Sequence, residues 1–140
     1  MSRVFWDTNI FIYLFEGAPH FSSQVVALRS RMSNRSDQLV TSTFTLGELL
    51  VKPMKEKNAP AVAYYQQLLQ ETSILIPFDE NAAAAYAGLR AQRTLPQPDA
   101  IQLACAASYG VDLFVTNDQR LLNKVVPGIQ FIVSLDRVPI

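Results

Sequence analysis

The chain has 140 residues, 49% of them apolar and 17% charged, which describes one globular domain over residues 1–140 and excludes a disordered segment. Twelve basic and twelve acidic residues cancel, so a broad basic surface for nucleic acid is excluded. An acidic centre that grips phosphate through metal is not. One His and one Cys leave neither an internal disulfide nor the usual zinc ligands, so a bound metal would have to rest on oxygen.

In chain order, Val4-Phe5-Trp6 is apolar on both faces, as in a parallel strand covered by helices. It stops abruptly at Asp7-Thr8-Asn9, where Asn9 can cap the helix that residues 10–15 begin. The sequence from Arg3 into this short run is unlike a secretory leader, and the apolar runs are too short to span a bilayer. With the lone Cys105 these features point to the cytoplasm. Residues 16–19 read as a turn, and Phe21, Val25, Leu28 and Met32 recur at helical spacing over residues 21–33. Leu39-Val40-Thr41-Ser42 is a second strand, followed by a helix that Pro53 should kink or end near Lys52. Asn58-Ala59-Pro60 starts a further helix, and Ile74-Leu75-Ile76 is a third strand.

Asp79 is a ready cap for an Ala-rich helix to about Arg93. Residues 94–98 hold two prolines and should be an extended connector. Asp99 then opens a nearly all-apolar helix to Tyr109, with Gly110 as its C-cap. Residues 111–116 form a strand ending at Asn117-Asp118, residues 119–123 a short helix, and residues 129–133 the last strand. Strands alternate with helices throughout, which predicts an α/β domain with a central parallel sheet of about five strands and helices on both faces.

Most acids have an ordinary explanation as caps or solvated loop charges, but Asp7, Glu48, Asp99 and Asp118 are embedded in apolar sequence. Asp7 and Asp118 end parallel strands and so share one rim of the sheet. Asp99 starts the helix that leads into the second of those strands, and Glu48 lies early in the helix after the second strand. All four therefore converge. Two unit charges 4 Å apart repel by roughly 4 kcal/mol at an effective dielectric near 20, a large term for a domain stable by about 5–15 kcal/mol. The acids must share protons or surround a divalent cation. Taken singly, each has a structural explanation: Asp99 and Asp118 as caps, Glu48 as an i,i+4 partner of Lys52. The common rim favours a metal site, and oxygen ligands favour Mg²⁺ with Mn²⁺ as the alternative.

These residues also carry a resemblance. Val4-Phe5-Trp6-Asp7-Thr8-Asn9, Thr45-Leu46-Gly47-Glu48-Leu49-Leu50, Pro98-Asp99-Ala100-Ile101-Gln102-Leu103-Ala104 and Val115-Thr116-Asn117-Asp118 resemble, in order and spacing, the four signature segments of the PIN-domain family. The likeness is closest to the VapC-type toxins of bacterial toxin–antitoxin pairs and covers essentially the whole chain. One departure is Gly47, where family members often carry a residue such as Ala. The resemblance implies a Mg²⁺- or Mn²⁺-dependent ribonuclease with Asp7, Glu48, Asp99 and Asp118 as its metal-binding acids. It further implies products with 5′-phosphate and 3′-hydroxyl ends, a homodimer, and a small antitoxin that occludes the site with a basic side chain.

On this reading Asp7 and Asp99 touch the metal directly, while Glu48 and Asp118 bind through water or a second ion. Thr8, Asn9, Thr116 and Asn117 orient them, a role compatible with ordinary turn and capping chemistry. His20 reads as a surface residue, not a general base. Lys52, Lys55, Lys57, Arg90 and Arg93 are candidate RNA contacts near the rim, against the plainer reading of solvated surface. A catalytically silent PIN-like binding module is the rival reading. A phospho-acceptor domain ranks last, because it needs a Lys at the end of a late strand and Lys124 does not follow one.

Overall fold

Runs such as Val4-Phe5-Trp6 and Leu113-Phe114-Val115 offer water no polar face, so they are stable only as strands covered on both sides. The computed structural model, which describes residues 1–92 and 94–140, has that arrangement. Its elements are β1 (Arg3–Trp6), α1 (Thr8–Phe15), α2 (Ser22–Arg35), β2 (Gln38–Ser42), α3 (Thr43–Lys55), α4 (Ala59–Thr72), β3 (Ile74–Ile76), α5 (Glu80–Gln92), α6 (Gln97–Tyr109), β4 (Val111–Val115) and β5 (Ile129–Val133). The five strands are all parallel, in the order β3-β2-β1-β4-β5.

The two-residue period of the strands sorts side chains between two cores. Val4 and Trp6 of β1, with Leu113 and Val115 of β4, pack against Ile10 and Phe11 of α1, Leu28 and Met32 of α2, Leu49 of α3 and Leu69 of α4. Phe5, Val40, Ile76 and Phe114 project to the other side, onto Ala82 and Leu89 of α5 and the buried face of α6. Phe5 and Phe114 stack across neighbouring strands with centroids 4.9 Å apart. Both are fully buried, and burial of each ring contributes roughly 1.5–3 kcal/mol. Among the described residues no helix is long and apolar enough to cross a membrane.

Four local expectations change. Helix α3 runs past Lys52 to Lys55 with Pro53 buried in its last turn, where the missing N–H removes only one of the final bonds. The extended connector is shorter than residues 94–98, because α6 begins at Gln97 with Pro98 in its first turn, a position that needs no N–H. Asp99 thus sits within the first turn instead of opening the helix. Residues 119–123 are successive turns, not a helix, closed by Leu121 N to Asp118 O at 3.0 Å and Lys124 N to Leu121 O at 3.1 Å. The Ala-rich helix is described to Gln92, and Arg93 lies outside the described residues.

The strand order places β1 between β2 and β4, so the connections leave it in opposite directions and a crevice opens at the carboxyl ends of β1 and β4. The ladder continues into that edge: Asp7 N donates to Val115 O at 3.0 Å and Thr116 N to Val133 O at 3.0 Å. The loop from β4 to β5 is locked from the far side by Gly128, whose φ is +96° and whose added Cβ would stand 2.5 Å from the Ala107 carbonyl oxygen. Gly47, in contrast, lies inside α3 with nothing within 4 Å of an added Cβ. Gly128→Ala should therefore lower stability by about 2 kcal/mol or more, through left-handed strain and a backbone clash. Gly47→Ala should raise it by about 0.5–1 kcal/mol. Urea unfolding of the two variants beside the parent checks both signs.

Candidate active site

Asp7 is built into the sheet edge by its own backbone: it follows β1, takes extended dihedrals and caps α1, with Thr8 N donating to its Oδ1 at 2.8 Å. Gln102 Nε2 donates to the same oxygen at 3.2 Å, and the Thr116 hydroxyl donates to Oδ2 at 2.8 Å. Thr116 in turn accepts from the Asn9 side-chain amide at 3.3 Å and from Asp118 N at 3.0 Å. The Asn117 backbone N–H completes the corner by donating to Asn9 Oδ1 at 3.4 Å. The ends of β1 and β4 are thus laced together by Thr8, Asn9, Thr116 and Asn117.

Gln102 was not singled out by its sequence, yet it is the centre of the buried polar network. It is 3% exposed on the otherwise apolar inner face of α6. Its carbonyl oxygen accepts from the Ser42 hydroxyl, so its NH₂ must be the group that faces Thr45 Oγ1 at 2.6 Å, Thr8 Oγ1 at 3.1 Å and Asp7. Thr8, receiving from Gln102, directs its own proton to Glu48 Oε1 at 2.6 Å. One amide therefore sets the direction of hydrogen bonding to both Asp7 and Glu48. The available signal was a lone Gln in a run of Ala, Leu and Ile.

The acids on the other side of the crevice are held by Arg120, which also went unremarked in the sequence. Its Nε and Nη2 clasp Asp118 Oδ1 and Oδ2 at 3.0 and 2.7 Å, and its backbone N–H reaches Oδ1 at 3.0 Å. Nη2 also lies 3.2 Å from Asp99 Oδ2. That contact is an ion pair only, since Asp99 Oδ2 is buried and accepts no hydrogen bond of good geometry. The guanidinium sits between two of the four carboxylates, where the sequence reading would place a divalent cation.

Burial raises the pKa of Asp7, Glu48 and Asp99 above the ordinary carboxylate range. For Asp7, bonds from Thr116, Thr8 and Gln102 work against burial, while the Asp118 charge adds to it. Glu48 is pushed up further by Asp7 and Asp99, and Asp99 by Asp118 and Asp7. Asp118 is lowered, because Arg120 is bound to it. All four acids therefore share one rim and feel one another, but among the described residues no three of them stand close enough together to hold a metal ion as they are. The donor chemistry fits a hard divalent cation: oxygen ligands only, mutual repulsion, and one buried carboxylate oxygen with no hydrogen bond.

The described basic candidates lie apart from the acids. Lys52 bonds Glu16 at 3.2 Å and not Glu48, which leaves Glu48 facing the crevice. Lys55 and Lys57 lie two turns or more beyond Glu48, about 10 Å along α3 and away from the rim. Arg90 rests on the Tyr86 ring, 5.8 Å from its centroid. His20 is exposed in the loop between α1 and α2, as its sequence context implies.

The raised carboxyls make a signed prediction. The folded, metal-free chain keeps protons on Asp7, Glu48 and Asp99 that the unfolded chain releases above about pH 4, so stability falls as pH rises through that window. Asp118 acts oppositely and loses stability only on acidification below the ordinary range. In EDTA the melting temperature should be a few degrees higher at pH 5 than at pH 7.5. Mg²⁺ or Mn²⁺ should narrow the gap by stabilising the neutral-pH protein. Equal melting at the two pH values in EDTA would contradict the shifts.

With the geometry in place, comparison with known proteins becomes informative. The sequence profile of the PIN domain matches residues 4–126. No functionally curated protein matches the sequence. Among solved structures, VapBC2 from Rickettsia felis bound to promoter DNA is similar, with a TM-score of 0.75 at 16% identity over 94% of this chain and 97% of that one. DNA-bound VapBC from Salmonella typhimurium gives 0.67 at 23% identity over 96% and 99%. VapBC-1 from nontypeable Haemophilus influenzae gives 0.68 at 20% identity over 96% and 98%. At these identities the structures establish a shared fold, and with the profile match across nearly the whole sequence they lead to one statement: the chain belongs to the PIN-domain family.

Proposed function

We propose that the protein is a Mg²⁺- or Mn²⁺-dependent endoribonuclease of the VapC type, the toxin of a toxin–antitoxin pair. The observation that carries this is the meeting of Asp7, Glu48, Asp99 and Asp118, from four separate elements, at the crevice between β1 and β4. Asp7 and Asp99 would hold the metal, with Glu48 and Asp118 completing the shell. When bound, the cation lowers the pKa of a water, sets it in line with the scissile phosphate and neutralises charge on the phosphate oxygens.

The chain's own residues do the rest. Gln102 and Thr116 fix both oxygens of Asp7, and Thr8 fixes Glu48, so the carboxylates are oriented before any ligand arrives. Arg120 neutralises Asp99 and Asp118 in the metal-free protein. Its side chain is 64% exposed, so it can turn outward and bind an incoming phosphate bidentately. The buried Trp6 and Val115 beneath the acids keep water from the floor of the crevice.

A cognate antitoxin is one proposed partner, since similar structures include toxin–antitoxin complexes. A second copy of this chain is the other. Val51, Met54 and Tyr64 on α3 and α4, 50–57% exposed, provide apolar surface for such contacts. A reading as a silent binding module draws on one observation, that Arg120 already neutralises half of the acidic set.

Cleavage of a structured RNA by the purified protein should require Mg²⁺ or Mn²⁺ and stop in EDTA. Asp7→Asn should fold, as judged by melting, and lose activity by on the order of 10²–10³ or more. RNA left intact by the parent in both metals, with no metal-induced rise in melting temperature, would favour the silent module. Gln102→Met keeps the volume but removes the donors to Asp7 and Thr8. It should reduce activity or metal affinity about 10–100-fold, seen as a rightward shift of the Mg²⁺ dependence, and cost about 1–3 kcal/mol through unsatisfied Ser42 and Thr45. A Gln102→Met protein with an unshifted Mg²⁺ curve would remove Gln102 from the site.

A further inference from the structure

Next to the acids, with Asn117 on its wall, lies a groove of about 890 Å³ between α1–α2 and the loop that follows β5. Asn117 belongs to both places: it precedes Asp118 in the chain, and its side chain lines the groove. Its Oδ1 is taken by Leu135 N at 3.0 Å, so the donors of its amide are the part left for a ligand.

We propose that this groove seats a nucleobase of the strand whose neighbouring phosphate lies at Asp7 and Asp99, an inference that rests on the nuclease reading above. Three features of the lining favour a base. Tyr13 and Phe21 form a stacked, half-buried aromatic wall, with centroids 4.4 Å apart and planes 25° from parallel. Bases stack on such surfaces whatever their sequence. Gln24 and Gln119, both exposed, add side-chain amides that pair with base edges; Gln24 Nε2 also donates to His20 O at 3.1 Å, which leaves its carbonyl oxygen and one N–H for a base. Charge is balanced, since Arg137 lines the groove together with Asp136, so an anionic phosphate has no preference for it over the open crevice.

The groove also answers a difficulty posed by composition. A chain of zero net charge cannot hold RNA by long-range attraction to the backbone. Affinity must come from short-range contacts, and base stacking with edge recognition is the form that single-stranded RNA offers. The base bound here would then choose which phosphate reaches the acids, so cleavage would have a sequence preference at one position beside the cut.

Two arms test this, both with the intact protein. In the first, the four ribonucleoside 5′-monophosphates are titrated in EDTA while NMR follows the side-chain amides of Gln24 and Gln119. One base should bind in preference and shift both amides saturably, and Tyr13→Leu should weaken that binding roughly tenfold or more. No base binding, or shifts confined to residues elsewhere, overturns the proposal.

In the second arm, a random-sequence single-stranded RNA pool is cut with Mg²⁺ and the ends are sequenced. The parent should prefer one base at a fixed position next to the cut. Gln24→Ala and Gln119→Ala, substitutions of exposed residues that leave the fold intact, should flatten that preference. A preference unchanged in both variants overturns the proposal and leaves the groove to a protein partner. A parent that cuts no RNA removes the nuclease reading, and the first arm then decides the groove by itself.

Discussion

Like charge gathered at the carboxyl ends of β1 and β4 is the constraint on which the rest of this structure depends. Four carboxylates meet there, three of them with their pKa raised by burial and by one another. The fold tolerates this because each charge is met by something local. Asp7 is met by Thr8 N, Gln102 and Thr116; Glu48 by the Thr8 hydroxyl; Asp118 and Asp99 by Arg120. Among the buried polar residues, Thr8, Ser42, Thr45, Gln102 and Thr116 are members of that response, while elsewhere Thr41 donates to Trp6 O and Asp37 pairs with Arg35. The parallel sheet supplies the rigid edge, and the hydroxyls and amides make its acidic rim compatible with a folded chain.

The two sides of the crevice solve the problem differently. Around Asp7 the partners are neutral, buried and fixed by strand ends, so they orient the carboxylate without cancelling its charge. Around Asp118 the partner is a guanidinium on a turn, 64% exposed. Asp118 has a lowered pKa because Arg120 hydrogen-bonds it directly, whereas Asp99, which Arg120 meets as an ion pair only, stays raised because burial outweighs that charge.

What could be read in the sequence follows from the range of each interaction. The strands were legible because a run like Val4-Phe5-Trp6, apolar on both faces, has one stable environment, and the acids stood out because each interrupts such a run. The order of the strands then placed the acids together with no need of side-chain detail. Gln102 and Arg120 were not legible as site residues, since their roles depend on which hydroxyl or carboxylate lies opposite across 57 to 95 residues of chain, or on a turn that only the fold defines. The helix expected over residues 119–123 failed for the same reason: Asp118 captures Arg120 N and its side chain, and the backbone follows that clasp into turns. Pro53 and Pro98 misled in opposite directions, because a proline in the last or first turn of a helix removes a bond that costs little there.

Zero net charge gives the site its character. Many proteins that act on nucleic acid collect it first by charge and read it afterwards. Here twelve basic residues are offset by twelve acidic ones, two of the basic side chains are committed, Lys52 to Glu16 and Arg35 to Asp37, and Arg120 at the crevice is held by the acids. On the proposed nuclease reading, an RNA strand would meet an acidic rim, so binding would need a divalent cation to reverse the sign of that rim and short-range contacts to hold the strand in register. The first requirement would tie binding to the same ions as the chemistry. The second would make selectivity a matter of the groove beside Asn117, so that discrimination between RNAs and protection of most of them would arise from one physical cause.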